Sequence, residues 1–221
     1  MQGAGIGLAW GRPFMADSCA MTTAFRHRVQ RRLPRSAAAL CALALLCLPS
    51  PAVARRATTP AGWKTYADAA LGFTIAYPPD WSVDPARRSP GPDGDIPGVA
   101  FGIPASLAAG TNLSADLTGV TVDHVDAGVC DAGRFLADPQ DLHHLTDPSG
   151  TWSVATMTDA GAGQSYEMTV YARKGRTACL AVRYVIHSSN LENYEPGAVK
   201  PFDRAALVAL FDRIRATLAL R

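Results

Sequence analysis

Much of the chain alternates apolar and polar side chains with the two-residue period of a half-buried strand. In residues 71–81, Phe73, Ile75 and Tyr77 alternate with smaller residues, Pro78 and Pro79 end the run, and Trp81 opens a further short strand. Val99, Phe101 and Ile103 repeat the pattern. Residues 119–126 put Val120 and Val122 on one face and Thr121 and Asp123 on the other. Strand-like runs then follow closely at 151–158, 165–173 and 179–187, with Gly161 and Gly163 near one turn and Lys174-Gly175 at the next. Such spacing favours antiparallel neighbours. Residues 180–186 of the last run are apolar apart from Arg183, so it is expected at the centre of the sheet.

The helical period is confined to fewer places. Leu207, Leu210, Phe211, Ile214 and Leu218 form one apolar stripe over residues 203–220. Asp203 lies at the positive end of that helix, and Arg213 and Arg215 toward the negative end. Residues 130–138 predict a short helix with Phe135 and Leu136 turned inward and Pro139 as its stop. Segments 87–97, 141–150 and 188–200 read as loops; the first, with three prolines and two glycines, is expected to be mobile. There is no internal repeat and no regular strand–helix alternation of the kind a parallel doubly wound sheet needs. The expectation is an α+β fold: an antiparallel β-sheet of about six or seven strands covered by helices, including a long C-terminal helix.

The beginning of the chain departs from this pattern. Residues 26–35 carry five arginines and no acid, and residues 37–48 are twelve uncharged, mainly apolar positions. Positive charge followed by such a run, Pro49 and Pro51, and the small-residue triplet Ala52-Val53-Ala54 is the three-part pattern of a secretory signal peptide. As a helix the run would be about 18 Å long, short of the roughly 30 Å hydrocarbon core of a bilayer. The domain organisation expected is therefore an upstream extension at 1–20 that precedes the true start at Met21, a signal peptide at 21–54, a flexible stub at 55–62 and a single globular domain at 63–221. Neither Cys41 nor Cys47 is preceded by a lipoprotein cleavage pattern.

Cleavage near Ala54 changes the charge. The leader holds six of the 21 basic and one of the 19 acidic residues, so the mature chain carries 15 against 18, a net charge of −3. No basic stripe remains for nucleic acid. Of five cysteines only Cys130 and Cys179 remain. An even pair in an exported chain reads as one disulfide. It would constrain the unfolded chain by about 4 kcal/mol in the chain-entropy description.

The segment 66–81, with its Leu71-Gly72-Phe73 and Tyr77-Pro78-Pro79-Asp80-Trp81, resembles the opening of PsbP-like domains and of small exported bacterial proteins similar to them. The resemblance covers about sixteen residues closely and the remainder through element order. It implies an antiparallel sheet flanked by helices, and an accessory or binding role in place of catalysis. It carries no functional residue across, because Phe73 and Trp81 would be core.

Candidate chemistry is sparse. Gly161-Ala162-Gly163-Gln164-Ser165 has its serine in the wrong register for a nucleophile elbow. His187 and Ser188 are adjacent on a strand and so point to opposite faces. His143 and His144, with Asp138, Asp141 and Asp147 nearby, lack the spacing of a metal motif. No two carboxylates stand out for glycoside chemistry, and no Gly-rich loop precedes a helix to hold phosphate. No catalytic residue, cofactor or metal is therefore assigned. The segment 186–197 is the strongest candidate: His187, Asn190, Asn193 and Tyr194 could form a binding lip, with Tyr194 supplying area and the asparagines adaptable hydrogen bonds. Residues 110–114 are a weaker candidate of the same kind.

The function expected is that of an exported, periplasmic or secreted, non-catalytic accessory or binding domain. Its partner would be an envelope protein or a small ligand, with no nucleic acid and no membrane span after cleavage. The alternative is an envelope hydrolase, whose site would show as a pocket lined by His187, Asn190 and an acid of strongly shifted pKa. Intact-mass analysis of the protein from an exporting host should find an N-terminus near Arg55 and no free thiol. An uncleaved N-terminus with Cys130 and Cys179 reduced would remove the export reading.

Overall fold

The computed structural model describes residues 58–221. The expected extension, signal peptide and first residues of the stub lie outside the described residues. In chain order the elements are β1 (Lys64–Asp68), β2 (Phe73–Tyr77), β3 (Ser82–Gly91), β4 (Gly94–Gly102), α1 (Ala105–Ala108) and β5 (Gly119–Asp126). A 3-10 turn at Ala132–Phe135 follows, then β6 (Gln140–Asp147), β7 (Gly150–Gly161), β8 (Gln164–Lys174) and β9 (Ala178–Ser189). A second 3-10 turn (Leu191–Asn193), α2 (Arg204–Arg215) and β10 (Ala219–Leu220) complete it.

The strands form two antiparallel sheets. One has seven strands in the order β3-β4-β5-β9-β8-β7-β6; the other has three, β1-β2-β10. β9 lies at the middle of the large sheet, as its apolar run predicted, and both its faces are buried. Leu180, Val182, Tyr184 and Ile186 face one core with Phe73, Ile75, Trp81, Phe101, Val120, Phe211 and Ile214, between the large sheet and the small sheet with α2. Cys179 and Ala181 face a second core with Phe135, Leu136, Ala155, Val170 and Ala172, closed by the chain between β5 and β6. The disulfide Cys130–Cys179, Cα atoms 5.2 Å apart, ties that cover to β9.

Arg183 interrupts the apolar run for a reason. Its buried guanidinium donates from Nε to Asp123 Oδ2 (2.7 Å), from Nη1 to the Pro90 carbonyl (2.9 Å) and from Nη2 to the Phe135 carbonyl (2.8 Å). Ser89 Oγ donates to the other Asp123 oxygen at 3.0 Å. Burial pushes the Asp123 carboxyl up, and the Arg183 charge and these hydrogen bonds pull it the other way.

The description as α+β holds only roughly, because the protein is mostly β. The sheet is not covered by helices: α1 has four residues and α2 twelve. The long C-terminal helix expected over 203–220 starts as read, with Asp203 accepting from the Ala206 N–H at 2.9 Å, but it stops at Arg215. Thr217 turns the chain, accepting from the Ala76 N–H (2.8 Å) and donating to the Ile214 carbonyl (2.6 Å). Residues 219–220 then pair with β2, satisfying a strand edge that a longer helix would leave open. Leu218, read as part of the helical stripe, is still buried, from the turn.

Two expected loops are strands. Residues 87–97 belong to the β3–β4 hairpin, which turns at Pro92-Asp93, just before Gly94 (φ 123°). Pro90 is tolerated because β3 is an edge strand, where a missing N–H costs little. Most of residues 141–150 form β6, the opposite edge, nearly all exposed, with Leu142 57% accessible. A strand outside the core needs no apolar alternation, so its pattern was silent. The short helix expected at 130–138 is one 3-10 turn, capped by Asp131 accepting from the Gly133 N–H at 2.8 Å.

Arg215 fastens α2 to the large sheet. It donates to Asp147 Oδ2 (2.8 Å) and the Tyr184 hydroxyl (2.9 Å), and its guanidinium lies 4.3 Å from the Tyr171 ring centroid. Burial alone would raise the Asp147 carboxyl, but hydrogen bonds from Ser149 and Arg215 leave it below the usual range. A depressed folded-state pKa stabilises above the unfolded value, about 3.9 for aspartate, and that contribution is lost as pH falls through the folded value. Urea unfolding of Asp147→Asn should show about 1–2 kcal/mol less stability at pH 7 and a flatter decline toward pH 3 than the parent. Superimposable pH profiles would mean that the carboxylate does not hold Arg215.

Candidate functional site

The expected lip is assembled, but against the protein itself. His187, at the end of β9, is buried and stacks on Tyr166 with ring centroids 4.4 Å apart. Its Nδ1 lies 3.2 Å from Asp116 Oδ1 and its Nε2 2.9 Å from Gln164 Oε1, which also accepts from Ser189 Oγ. The Asn190 N–H and Asn193 Nδ2 both donate to the Gly163 carbonyl, at 2.8 and 2.9 Å. Tyr194 is half-buried, and its N–H donates to the Leu191 carbonyl at 3.1 Å. His187, Asn190 and Asn193 therefore latch the end of β9 to the β7–β8 turn and the start of β8, and Tyr194 takes no part in it. Of five clefts on the described residues, from about 230 to about 870 Å³, none is lined by His187 or Asn190.

The weaker candidate at 110–114 is likewise a strut. Asn112 Nδ2 donates to the Ser189 carbonyl at 2.8 Å and its Oδ1 accepts from the Phe202 N–H at 3.0 Å. Asp147 is taken up by Arg215, as described, and by Ser149.

The other end of β5 presents unspent chemistry. The face that carries Val120 and Val122 into the core continues to His124, past the rim of the apolar cluster. There a cleft of about 330 Å³ opens between the β1–β2 hairpin and strands β3–β5, lined by Tyr66, Asp68, Leu71, Phe73, Arg87, Arg88, Pro97, Val99, Val122 and His124. Gly98 also lines it; a Cβ there would come within 2.6 Å of the Val122 carbonyl and of Asp123 Oδ1 on the opposite face, so only glycine fits. A second cleft of about 620 Å³ shares Leu71, Pro97 and His124 with it and continues past Asp95, Asp126 and Arg134, so the two make one groove.

Several charged side chains on this groove have hydrogen-bond partners. Arg88 Nη2 donates to the Asp95 carbonyl at 3.0 Å, Arg134 pairs with Asp126, and Asp68 Oδ1 accepts from the Leu71 N–H at 2.9 Å. Burial, and then the nearby Asp68 charge, raise the Tyr66 hydroxyl, which stays neutral. One atom on this face stands apart: His124 Nδ1 is buried with no hydrogen-bond partner among the described residues. Arg87 Nε is unpaired too, but its strand position opposite Gly98 and Asp123 puts its side chain on the other face of the sheet, where Arg87 lines a cleft with Gly119 and Thr121. A buried polar atom left unpaired costs about 1–3 kcal/mol. A group held at that cost at the wall of a cleft is suited to meeting a ligand.

No family profile matches this chain, and no curated protein does. Among solved structures it is similar to the cyanobacterial PsbP (CyanoP) of Synechocystis sp. PCC 6803, determined in solution. The two share 10% identity with a TM-score of 0.42, covering 73% of this chain and 94% of that one. The likeness is one of chain course and assigns no role to any residue of the groove.

Sequence reading missed both unpaired groups. Arg87 fell in a segment taken for a loop. His124 had a signal, since the alternation through Val120 and Val122 places it next on the same face. If its unpaired nitrogen is a cost to the fold, His124→Leu should leave the urea unfolding free energy unchanged or raise it by about 1 kcal/mol. A loss of more than about 1 kcal/mol would mean that the imidazole is a structural group.

Proposed function

We propose that this chain is an exported, non-catalytic accessory domain that binds its partner or ligand in the groove at His124. The observation that carries the reading is the buried, unpaired Nδ1 of His124 at the wall of a cleft beyond the apolar core, while Arg183 and Arg215 are committed internally. Arg183 spends its donors on Asp123, Pro90 and Phe135, and Arg215 on Asp147, Tyr184 and Asp212. Export is supported by the three-part leader and by the joined cysteines, which suit an oxidising compartment. Binding without turnover is supported by His187 having both ring nitrogens already engaged, by Asp116 and Gln164.

A photo-crosslinking residue at Asp95, on the groove rim, should trap a discrete adduct in envelope-containing cells. The same residue at Glu192, on the lip, should trap none. Adducts from Glu192 alone would move the site to the lip. No adduct from either position, together with turnover in a hydrolase panel, would favour the enzyme.

A further inference from the structure

We propose that the cleft beside Arg87 and Thr121 binds a small free α-amino acid as its zwitterion. This site lies on the opposite face of the large sheet from His124 and adds to the groove instead of replacing it.

The hollow arises where side chains are missing. On the face that carries Asp123 and Arg183, β4 and β5 present Gly98, Ala100, Gly102 and Gly119, so the sheet there is nearly bare backbone. A Cβ at Gly119 would come within 2.1 Å of the Phe101 carbonyl oxygen, so that position admits no side chain. The second core reaches Ala181 on β9, and Val185, four residues on along the same face, is only half-buried. A cleft of about 230 Å³ remains, walled by Asp84 and Arg87 from β3, Thr121 from β5 and the loop at Asp116 and Leu117. Register places both β3 residues on this face, with Asp84 opposite Ala100 and Arg87 opposite Gly98.

Two buried polar atoms of this cleft are unspent. Arg87 Nε has no hydrogen-bond partner, and its guanidinium pairs with no carboxylate among the described residues. Thr121 is 5% accessible. Its hydroxyl lies near enough to Asp123 to pull that carboxyl downward against burial, yet it completes no hydrogen bond of ordinary geometry. An N–H needs an acceptor and a hydroxyl can donate to one, so a single carboxylate, with two acceptor oxygens, serves both.

The rim carries the opposite charge. Asp84 and Asp116 are exposed, and neither pairs with a lysine or arginine among the described residues. Asp84 Oδ1 accepts from the Ala86 N–H at 3.1 Å, and Asp116 Oδ1 lies 3.2 Å from His187 Nδ1. One arginine against two aspartates gives the lining a formal charge of −1, which opposes a simple anion. A ligand with a carboxylate for Arg87 and Thr121 must therefore bring a cation for the aspartates, and an α-amino acid holds both on one carbon. Val185 and Leu117 are the apolar surface left for its side chain. The cleft is smaller than the usual ligand pocket of about 300–1,000 Å³, so that side chain is short.

The test is an NMR titration of the isotope-labelled mature protein with L-alanine and L-valine. Isovalerate, which lacks the ammonium, and isobutylamine, which lacks the carboxylate, are the partial analogues. At least one amino acid should shift the Ala100, Thr121 and Val185 methyls and the Arg87 Nε–H saturably while the His124 ring stays unmoved. Each partial analogue should bind at least ten-fold more weakly. Arg87→Gln should weaken the amino acid at least ten-fold and leave the core methyls of Val154 and Ile214 in place; the analogue comparison decides the matter if that variant folds poorly. Equal binding of isovalerate or of isobutylamine would overturn the zwitterion. No saturable shift from any probe, a cleft that holds solvent only, would overturn the site, and so would saturable shifts confined to the His124 groove.

Discussion

The buried pair of Arg183 and Asp123 is the contact on which most of the large sheet depends. It joins the two central strands β5 and β9, and through the carbonyls of Pro90 and Phe135 it reaches the edge hairpin and the cover over the second core. Ion pairs so deep gain little over apolar packing of the same shape, because desolvation offsets the attraction. Their effect is selective: a strand shifted by one residue would put the guanidinium into the apolar core on the opposite face and leave Asp123 unpaired. Register of the central strands and closure of the second core are thus set by one interaction. The disulfide from Cys179, four residues back on the same face of β9, reinforces the same closure.

The groove follows from where this organisation ends. The small sheet is narrower than the large one and stops covering it beyond Val122, so the next residue on that face, His124, meets an opening instead of a core. The β3–β4 hairpin supplies the other wall, with Arg88 opposite Pro97 on the face that carries His124. The site is a place where two sheets of unequal width fail to match.

What could be read from the sequence was what the core dictates. Alternation placed β2, β4, β5 and the run from β7 to β9, because one or both faces of those strands are buried. Val120 and Val122 could be told from Thr121 and Asp123 for the same reason. The edges were illegible, since β3 and β6 answer to backbone pairing more than to burial, and their prolines, charges and histidines look like loop. The end of α2 was overrun because Leu218 keeps the helical stripe going while the chain has already turned at Thr217 to pair with β2. The residues read as a lip lie around the end of β9, and sequence cannot show that Gly163 and Gln164 absorb the hydrogen bonds of three of them. His124 and Arg87 became notable only through what they lack, and a missing partner is a property of three-dimensional surroundings.

The seating of β10 against β2 has a consequence for how the molecule is made. Ala76 and Thr217, 141 positions apart, hydrogen-bond to each other, and the small sheet has its third strand only from the final residues of the chain. A hairpin that emerges early must wait, one edge bare, for a partner made more than a hundred residues later. The small sheet therefore cannot close until residues 217–220 are free to reach it. Such dependence on distant sequence slows folding.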